Sequence, residues 1–176
     1  GSVQIRNVAT MAGNIATASP IGDSLPLLLS LDASIVVKSF NKQSILSLKD
    51  FFISYRKTKL KKGQFISSIR IPIFKKNIFK AYKISKRIDD DISSVCASFN
   101  LEIVNKKIKN IKIAYGGMAS IPKRAIYCEK ILLNSNLSED IILKAQRSLE
   151  KDFHPINDMR ASKNYRMEIA KNLLMK

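Results

Sequence analysis

The run Gln4-Ile-Arg-Asn-Val-Ala-Thr-Met-Ala-Gly-Asn-Ile-Ala-Thr-Ala-Ser-Pro-Ile-Gly-Asp23 decides how this chain is read. It is made of small and turn-forming residues and is dense in hydroxyl, amide and carboxylate groups. Gly13 lets the backbone approach a ligand closely or take positive φ, which a Cβ would penalise. Asn14, Thr17, Ser19 and Asp23 supply donors and acceptors, and Ser19-Pro20 and Gly22-Asp23 are turn chemistry. A segment lining a polar cofactor needs this combination. The plainer alternative, on composition alone, is a hydroxyl-rich surface loop. The run opens the chain with no start methionine before it, which sets the expectation of a fragment of a longer protein.

Downstream, the pattern is α+β. Residues 4–19 read as turns and short extended pieces. Asp23-Ser24-Leu25-Pro26 then opens a short apolar helix over 25–31, with Asp23 or Ser24 as N-cap and Pro26 in the first turn. A β-branched run makes 33–40 a strand, and 44–48 pairs with it through Asn41-Lys-Gln. Residues 50–53 read as one helical turn, and 64–72 as a strand ending at proline. A linker near 74–77 precedes a second unit, so the expected division is 1–73 and 78–176. There, 78–86, 95–104 and 108–115 form a three-stranded antiparallel meander, with Ser98, Asn100 and Glu102 on an exposed face. Gly116-Gly117 breaks the last strand. Helices are expected over 123–132, over 139–151 with Ser138 as N-cap, and over 161–175. The second of these buries Ile142, Ala145, Leu149 and Phe153, and the third carries a stripe of Tyr165, Ile169 and Leu173.

Composition excludes several functions. The 176 residues are 45% hydrophobic, enough for a core, and no apolar run approaches the ~20 residues of a membrane span. With no signal peptide the chain reads as cytoplasmic. Cys96 and Cys128 are isolated and cannot supply the four thiolates of an iron–sulfur cluster, so both read as reduced core residues. His154, the only histidine, lacks any HExxH or GxSxG context and reads as a turn residue before Pro155. The net charge of +17 resembles a nucleic-acid binder's footprint. However, the lysines are spread along the chain without interleaved stacking aromatics, which argues against nucleic acid. The carboxylates Asp89-Asp90-Asp91 cannot all face one ion from an extended loop.

Four ordered stretches carry a family resemblance. Residues 4–23 resemble the flavin-binding segment of the xanthine dehydrogenase/oxidase family (the molybdenum hydroxylases), of form QIRN-x-(A/G)-T-x-GGNI-x-x-(A/G)-SPI-(G/S)-D. Phe51-Phe-Ile-Ser-Tyr-Arg-Lys-Thr58 is similar to the family's F-F-x-x-Y-R-K-T. Tyr82-Lys-Ile-Ser-Lys-Arg-Ile-Asp-Asp-Asp-Ile92 resembles F-K-x-S-x-R-x-x-x-D-I, and Asp158-Met-Arg-Ala-Ser-Lys-Asn-Tyr-Arg166 resembles D-x-R-A-S-x-x-Y-R. Ala12 departs from the first glycine of GGN, and Gln64 from an acidic residue.

The resemblance implies the second half of an FAD-binding domain, followed by a C-terminal domain like that of CO dehydrogenase flavoproteins. Val8, Ala9, Thr10, Gly13 and Asn14 would line FAD, with Thr17 and Ser19 hydrogen-bonding nearby. Asp23 would accept from a polar ring edge, Ile66 would pack on the ring, and Lys83 would sit by its pyrimidine side. A cation there stabilises charge developing on reduced flavin. Loop 85–91 would influence acceptor access, and Arg160 and Arg166 would order the last helix. The implied partners are the remaining FAD/iron–sulfur subunit and a molybdenum-cofactor subunit, with NAD as electron acceptor and the chain inactive alone. A different class of reading is a subunit-docking module using the same fold without productive flavin.

Overall fold

The computed structural model describes residues 2–88 and 91–176. In the first unit, helices α1 (Val3–Val8), α2 (Met11–Thr17) and α3 (Ser24–Ser30) precede strands β1 (Ser34–Lys38), β2 (Gln43–Ser47), β3 (Phe52–Ser54), β4 (Lys57–Thr58) and β5 (Phe65–Arg70). In the second, β6 (Ile78–Ile84), β7 (Val95–Val104), β8 (Lys107–Gly116) and β9 (Lys123–Arg124) are followed by α4 (Ile126–Leu132), α5 (Glu139–Asp152) and α6 (Lys163–Leu173). The sheets run in the orders β2-β1-β5 and β6-β7-β8-β9, all pairs antiparallel, with β3-β4 a separate hairpin. The architecture is α+β.

Most of residues 4–19 is helical, in α1 and α2, where turns and extended pieces were expected; only Ala9-Thr10 between the helices and Ala18-Ser19 after them are not. Ser2 and Thr10 act as N-caps: Ser2 Oγ accepts from Ile5 N, and Thr10 Oγ1 accepts from Gly13 N at 3.0 Å. A cap satisfies an otherwise orphan first-turn amide, and Ile15 anchors α2 by full burial. Ala18, in the left-handed conformation at φ 49°, ends it. The helical turn expected at 50–53 falls earlier, as a 3-10 turn over Leu48–Asp50. Phe52 then enters β3, because it and Phe51 bury their rings edge to face.

In the second unit the strand and α5 assignments hold, with α5 starting from Ser138, whose hydroxyl accepts from Ile141 N. The expected helix over 123–132 starts late, because Lys123 and Arg124 pair with Tyr115 and Ala114 as β9, making the sheet four-stranded. The stripe expected on the last helix is also shifted: Arg166, Ala170 and Leu173 are buried and Tyr165 is exposed.

Ser98 and Asn100 are 0% and 2% exposed, against the expectation that this face of β7 meets water. Helix α3 covers it. Ser30 and Ser98 share a hydroxyl hydrogen bond of 2.7 Å, and Asn100 Nδ2 donates to Ser30 O at 3.0 Å. Asn77 Nδ2 donates to Asn100 Oδ1 at 2.8 Å. Polar groups thus paired can be buried without the penalty of an orphan. The cover also joins the two units at the segment 18–24. Gly117 N donates to Pro20 O at 2.7 Å, and Ala114 of β8 belongs to the same apolar core as Leu25, Leu28 and Ile35.

Candidate functional site

At the junction of the two units, Asp23 occupies the N-cap position of α3, but its carboxylate makes no cap hydrogen bond. Its oxygens turn to the second unit. Oδ2 accepts from Lys83 Nζ on β6 at 2.7 Å, and Oδ1 accepts from Ser93 Oγ at 2.5 Å. Asn14 lies alongside, its Oδ1 accepting from Ser24 Oγ at 2.5 Å. A Cβ on buried Gly22 would stand only 3.1 Å from that amide oxygen. Cys96 Sγ donates to Asp23 O at 3.5 Å. Burial first, and then the Asp23 charge, push the Cys96 thiol up to about 12, so it stays protonated at neutral pH.

The expected site residues fall into three places. Asn14, Asp23 and Lys83 meet in this cluster, with Ser19 on the turn before it, its Oγ accepting from Ile21 N at 3.4 Å. Val8, Ala9, Thr10, Gly13 and Thr17 lie on the outer surface of α1, α2 and their connection. Ile66 sits on β5, which packs beside α2, half-buried against the core that holds Ile15. Gly13 is helical rather than at positive φ, and a Cβ there would stand 2.8 Å from Thr10 Oγ1. A larger residue would therefore disturb the cap of α2 as well as any ligand approach. Ser93 and Arg166 are further residues of the cluster's support. The Ser93-Ser94 pair between an acidic loop and an apolar strand was the signal in sequence, but nothing local gives its partner.

The segment 8–23 combines exposed apolar residues with polar side chains, the composition a ligand with an apolar face and a polar edge requires. Val8 is 81% exposed and Met11 50%, beside small Ala9 and Gly13. The hydroxyls of Thr10 and Thr17 are engaged with the backbone of Gly13. Among the described residues no group of three or more His, Cys, Asp or Glu could hold a metal ion, and no helix is long and apolar enough to cross a membrane.

A concavity of about 430 Å³ lies where Lys86, Arg87, Asp91 and Ile92 face Met159 and Arg160. Lys86 Nζ donates to Met159 O at 2.8 Å. Asp91 is held below the ordinary carboxylate range, first by the Ile92 amide and further by Arg87, against the opposing effect of burial. Asp89 and Asp90, the middle of the acidic run, lie outside the described residues. Arg160 bonds locally to Asp158, and Arg166 is buried, so both order the start of α6 as expected.

Comparison with known proteins gives the family of the chain. The family described as "FAD binding domain in molybdopterin dehydrogenase" matches residues 1–74, and that described as "CO dehydrogenase flavoprotein C-terminal domain" matches residues 80–176. The chain is 31% identical over 179 residues to the glyceraldehyde dehydrogenase medium chain of Sulfolobus acidocaldarius, covering 100% of this chain and 62% of that protein. It is 37% identical over 155 residues to xanthine dehydrogenase of Emericella nidulans, covering 86% of this chain and 11% of that protein. Among solved structures, carbon monoxide dehydrogenase from Hydrogenophaga pseudoflava superposes with a TM-score of 0.94 at 22% identity. That match covers 99% of this chain and 61% of the other, and shows the shared fold. The chain thus spans less than two thirds of the length of these relatives. FAD is the cofactor expected of the complete subunit. By the match of family models over nearly its whole length, this chain belongs to the FAD-binding domain family of the molybdenum hydroxylases.

Proposed function

We propose that this chain forms the flavin-holding part of a xanthine dehydrogenase-type oxidoreductase, in which electrons pass from iron–sulfur clusters through FAD to NAD. Its partners in that reading are the remaining FAD/iron–sulfur portion and a molybdenum-cofactor subunit, assembled in the cytoplasm. Residues 1–73 and 78–176 act as two domains that share the site at their junction. Bound FAD supplies the two-electron chemistry.

The chain's own residues bind and orient it. Val8, Ala9, Thr10, Gly13 and Asn14 would hold the cofactor, with Thr17 and Ser19 hydrogen-bonding nearby and Ile66 packing on its ring. Asp23 offers an acceptor to a polar edge, and Lys83 places a cation where negative charge develops on reduction. The observation that carries this reading is the meeting of Asp23 and Lys83 at 2.7 Å across 60 residues of sequence, Asp23 ending the segment that carries the exposed Val8 and Met11. The 176-residue chain alone is expected to hold FAD weakly, because that segment lies open to solvent.

The test is an FAD titration of the complete subunit and its Asp23→Ala variant, followed by flavin fluorescence. The expected result is weaker binding in the variant, by about tenfold for a lost hydrogen bond to a charged group. Equal affinity would remove Asp23 from the site. The docking-module reading has one observation in its favour, the exposed apolar residues Val3, Ile5, Val8 and Met11. It would gain if the complete, correctly assembled enzyme retained no FAD.

A further inference from the structure

Ser93 is 1% exposed and stands where the loop after β6 enters β7. Its hydroxyl holds one oxygen of Asp23 at 2.5 Å while Lys83 holds the other at 2.7 Å. Two donors on two different oxygens fix the plane of the carboxylate, whose terminal torsion is otherwise broad. Asp23 is 30% exposed, so the lysine alone would hold it loosely.

Ser93 is itself held through its neighbour. Ser94 N donates to Ile84 O at 2.8 Å, and Ser94 O accepts from Arg166 Nη1. The same Nη1 donates to Gly117 O at 3.1 Å, and Arg166 Nη2 donates to Asp158 Oδ1 at 2.6 Å. Gly117 N in turn reaches Pro20 O at 2.7 Å, on the turn that leads into Asp23. Arg166, 1% exposed, therefore grips the segment that carries Ser93 and the one that abuts the Asp23 turn. Guanidinium geometry suits this, because several donors diverge from one rigid plane.

We propose that Ser93 is a positioning residue for flavin binding, aiming the Asp23 carboxylate, and that Arg166 sets Ser93 in register from the C-terminal helix. The inference rests on the reading of Asp23 as a flavin-facing acceptor. It links the second domain to a cofactor contact made by the first.

The experiment uses the complete subunit and measures FAD dissociation constants for the wild type, Ser93→Ala, Ser93→Thr, Asp23→Ala and the Ser93→Ala/Asp23→Ala double variant. Thermal midpoints are recorded for each. Ser93→Ala is expected to weaken FAD binding by about tenfold, the scale of a hydrogen bond to a charged group. The double variant is expected to bind no more weakly than Asp23→Ala, since Ser93 acts only through that carboxylate. Ser93→Thr, which keeps the hydroxyl, is expected to stay within about twofold of wild type. If threonine is not accommodated and the variant unfolds, the alanine cycle alone decides.

Ser93→Ala with wild-type affinity, while Asp23→Ala binds weakly, would overturn the proposal and leave the flavin reading intact. Additive losses in the double variant would overturn it too, by showing that Ser93 acts independently of Asp23. Wild-type affinity in Asp23→Ala would instead sink the flavin reading of that residue, and this inference with it.

Discussion

At the scale of single residues, the Asp23–Lys83 pair changes what each charge does. Lys83 is not a lone cation but one partner of an ion pair with Asp23, with side chains 31% and 30% exposed. Lys83→Met removes a positive charge beside Asp23 and is expected to lower the flavin midpoint potential in the complete subunit. Asp23→Ala leaves Lys83 uncompensated and is expected to raise it. Solvent screening limits the interaction to roughly 1 kcal/mol, and ~1.4 kcal/mol is about 30 mV for a two-electron couple. Shifts of about 20–30 mV in opposite directions are the scale to look for in a redox titration. Shifts of the same sign, or none with FAD still bound, would make both residues surface charges. The motif residues were legible in sequence, and so was their resemblance to a flavin segment. The pairing was not, since 60 positions separate the partners and nothing local to either names the other.

At the scale of elements, the bend after β8 depends on a glycine. Gly117 has φ +83°, and a Cβ there would stand 2.3 Å from Ser94 O. Gly63 has a similar φ of +78° but nothing within 4 Å of such a Cβ. Gly63→Ala is therefore expected to cost only the backbone term, roughly 1–2 kcal/mol for a left-handed alanine. Gly117→Ala adds an overpacking cost of about 1–3 kcal/mol and pushes on the carbonyl that Arg166 holds. Denaturant midpoints of the two variants should separate clearly, with Gly117→Ala the less stable. Equal midpoints would mean that the bend relaxes without cost. Elements with strong periodicity, β7 and α5 above all, were readable. The short helices at the start were not, because they rest on side-chain caps and on a single buried Ile15 rather than on an apolar stripe.

At the scale of the whole molecule, α3 lies against β7 and β8 while sharing a core with the first sheet, so the units are packed together rather than strung on a linker. Acid stability follows from carboxyl groups of the second unit. Burial pushes the Asp158 carboxyl up, but the amides of Arg160 and Ala161 and the Arg166 guanidinium outweigh it, leaving it below 3.8. A group depressed on folding contributes stability that is present above its unfolded value and lost as pH falls through the folded one. Asp158→Asn is accordingly expected to flatten the fall in stability as pH drops below about 4, read from urea midpoints. An unchanged acid limb would deny Asp158 that role. Glu129 acts with the opposite sign, since burial outweighs its bonds to Arg124 and Ile113 and raises it above 4.5. Its contribution is present below that value and fades as pH rises through the folded one.

By itself the sequence determined the α+β class, the strands β1, β2 and β5 to β8, the burial of Cys96 and Cys128 as free thiols, and the stretches that resemble the family's flavin segment. These are properties of local periodicity and residue chemistry, which a linear chain carries openly. Only the tertiary structure decided that Ser98 and Asn100 are interior, that Asp23 reaches across rather than caps its own helix, and that Arg166 is buried. In each case a polar group's fate depends on a partner distant in sequence. Alternation along a strand tells which side chains share a face, but whether that face is wet depends on what another segment lays upon it. A buried carboxylate or guanidinium is stable only where the fold brings it the donors and acceptors it needs.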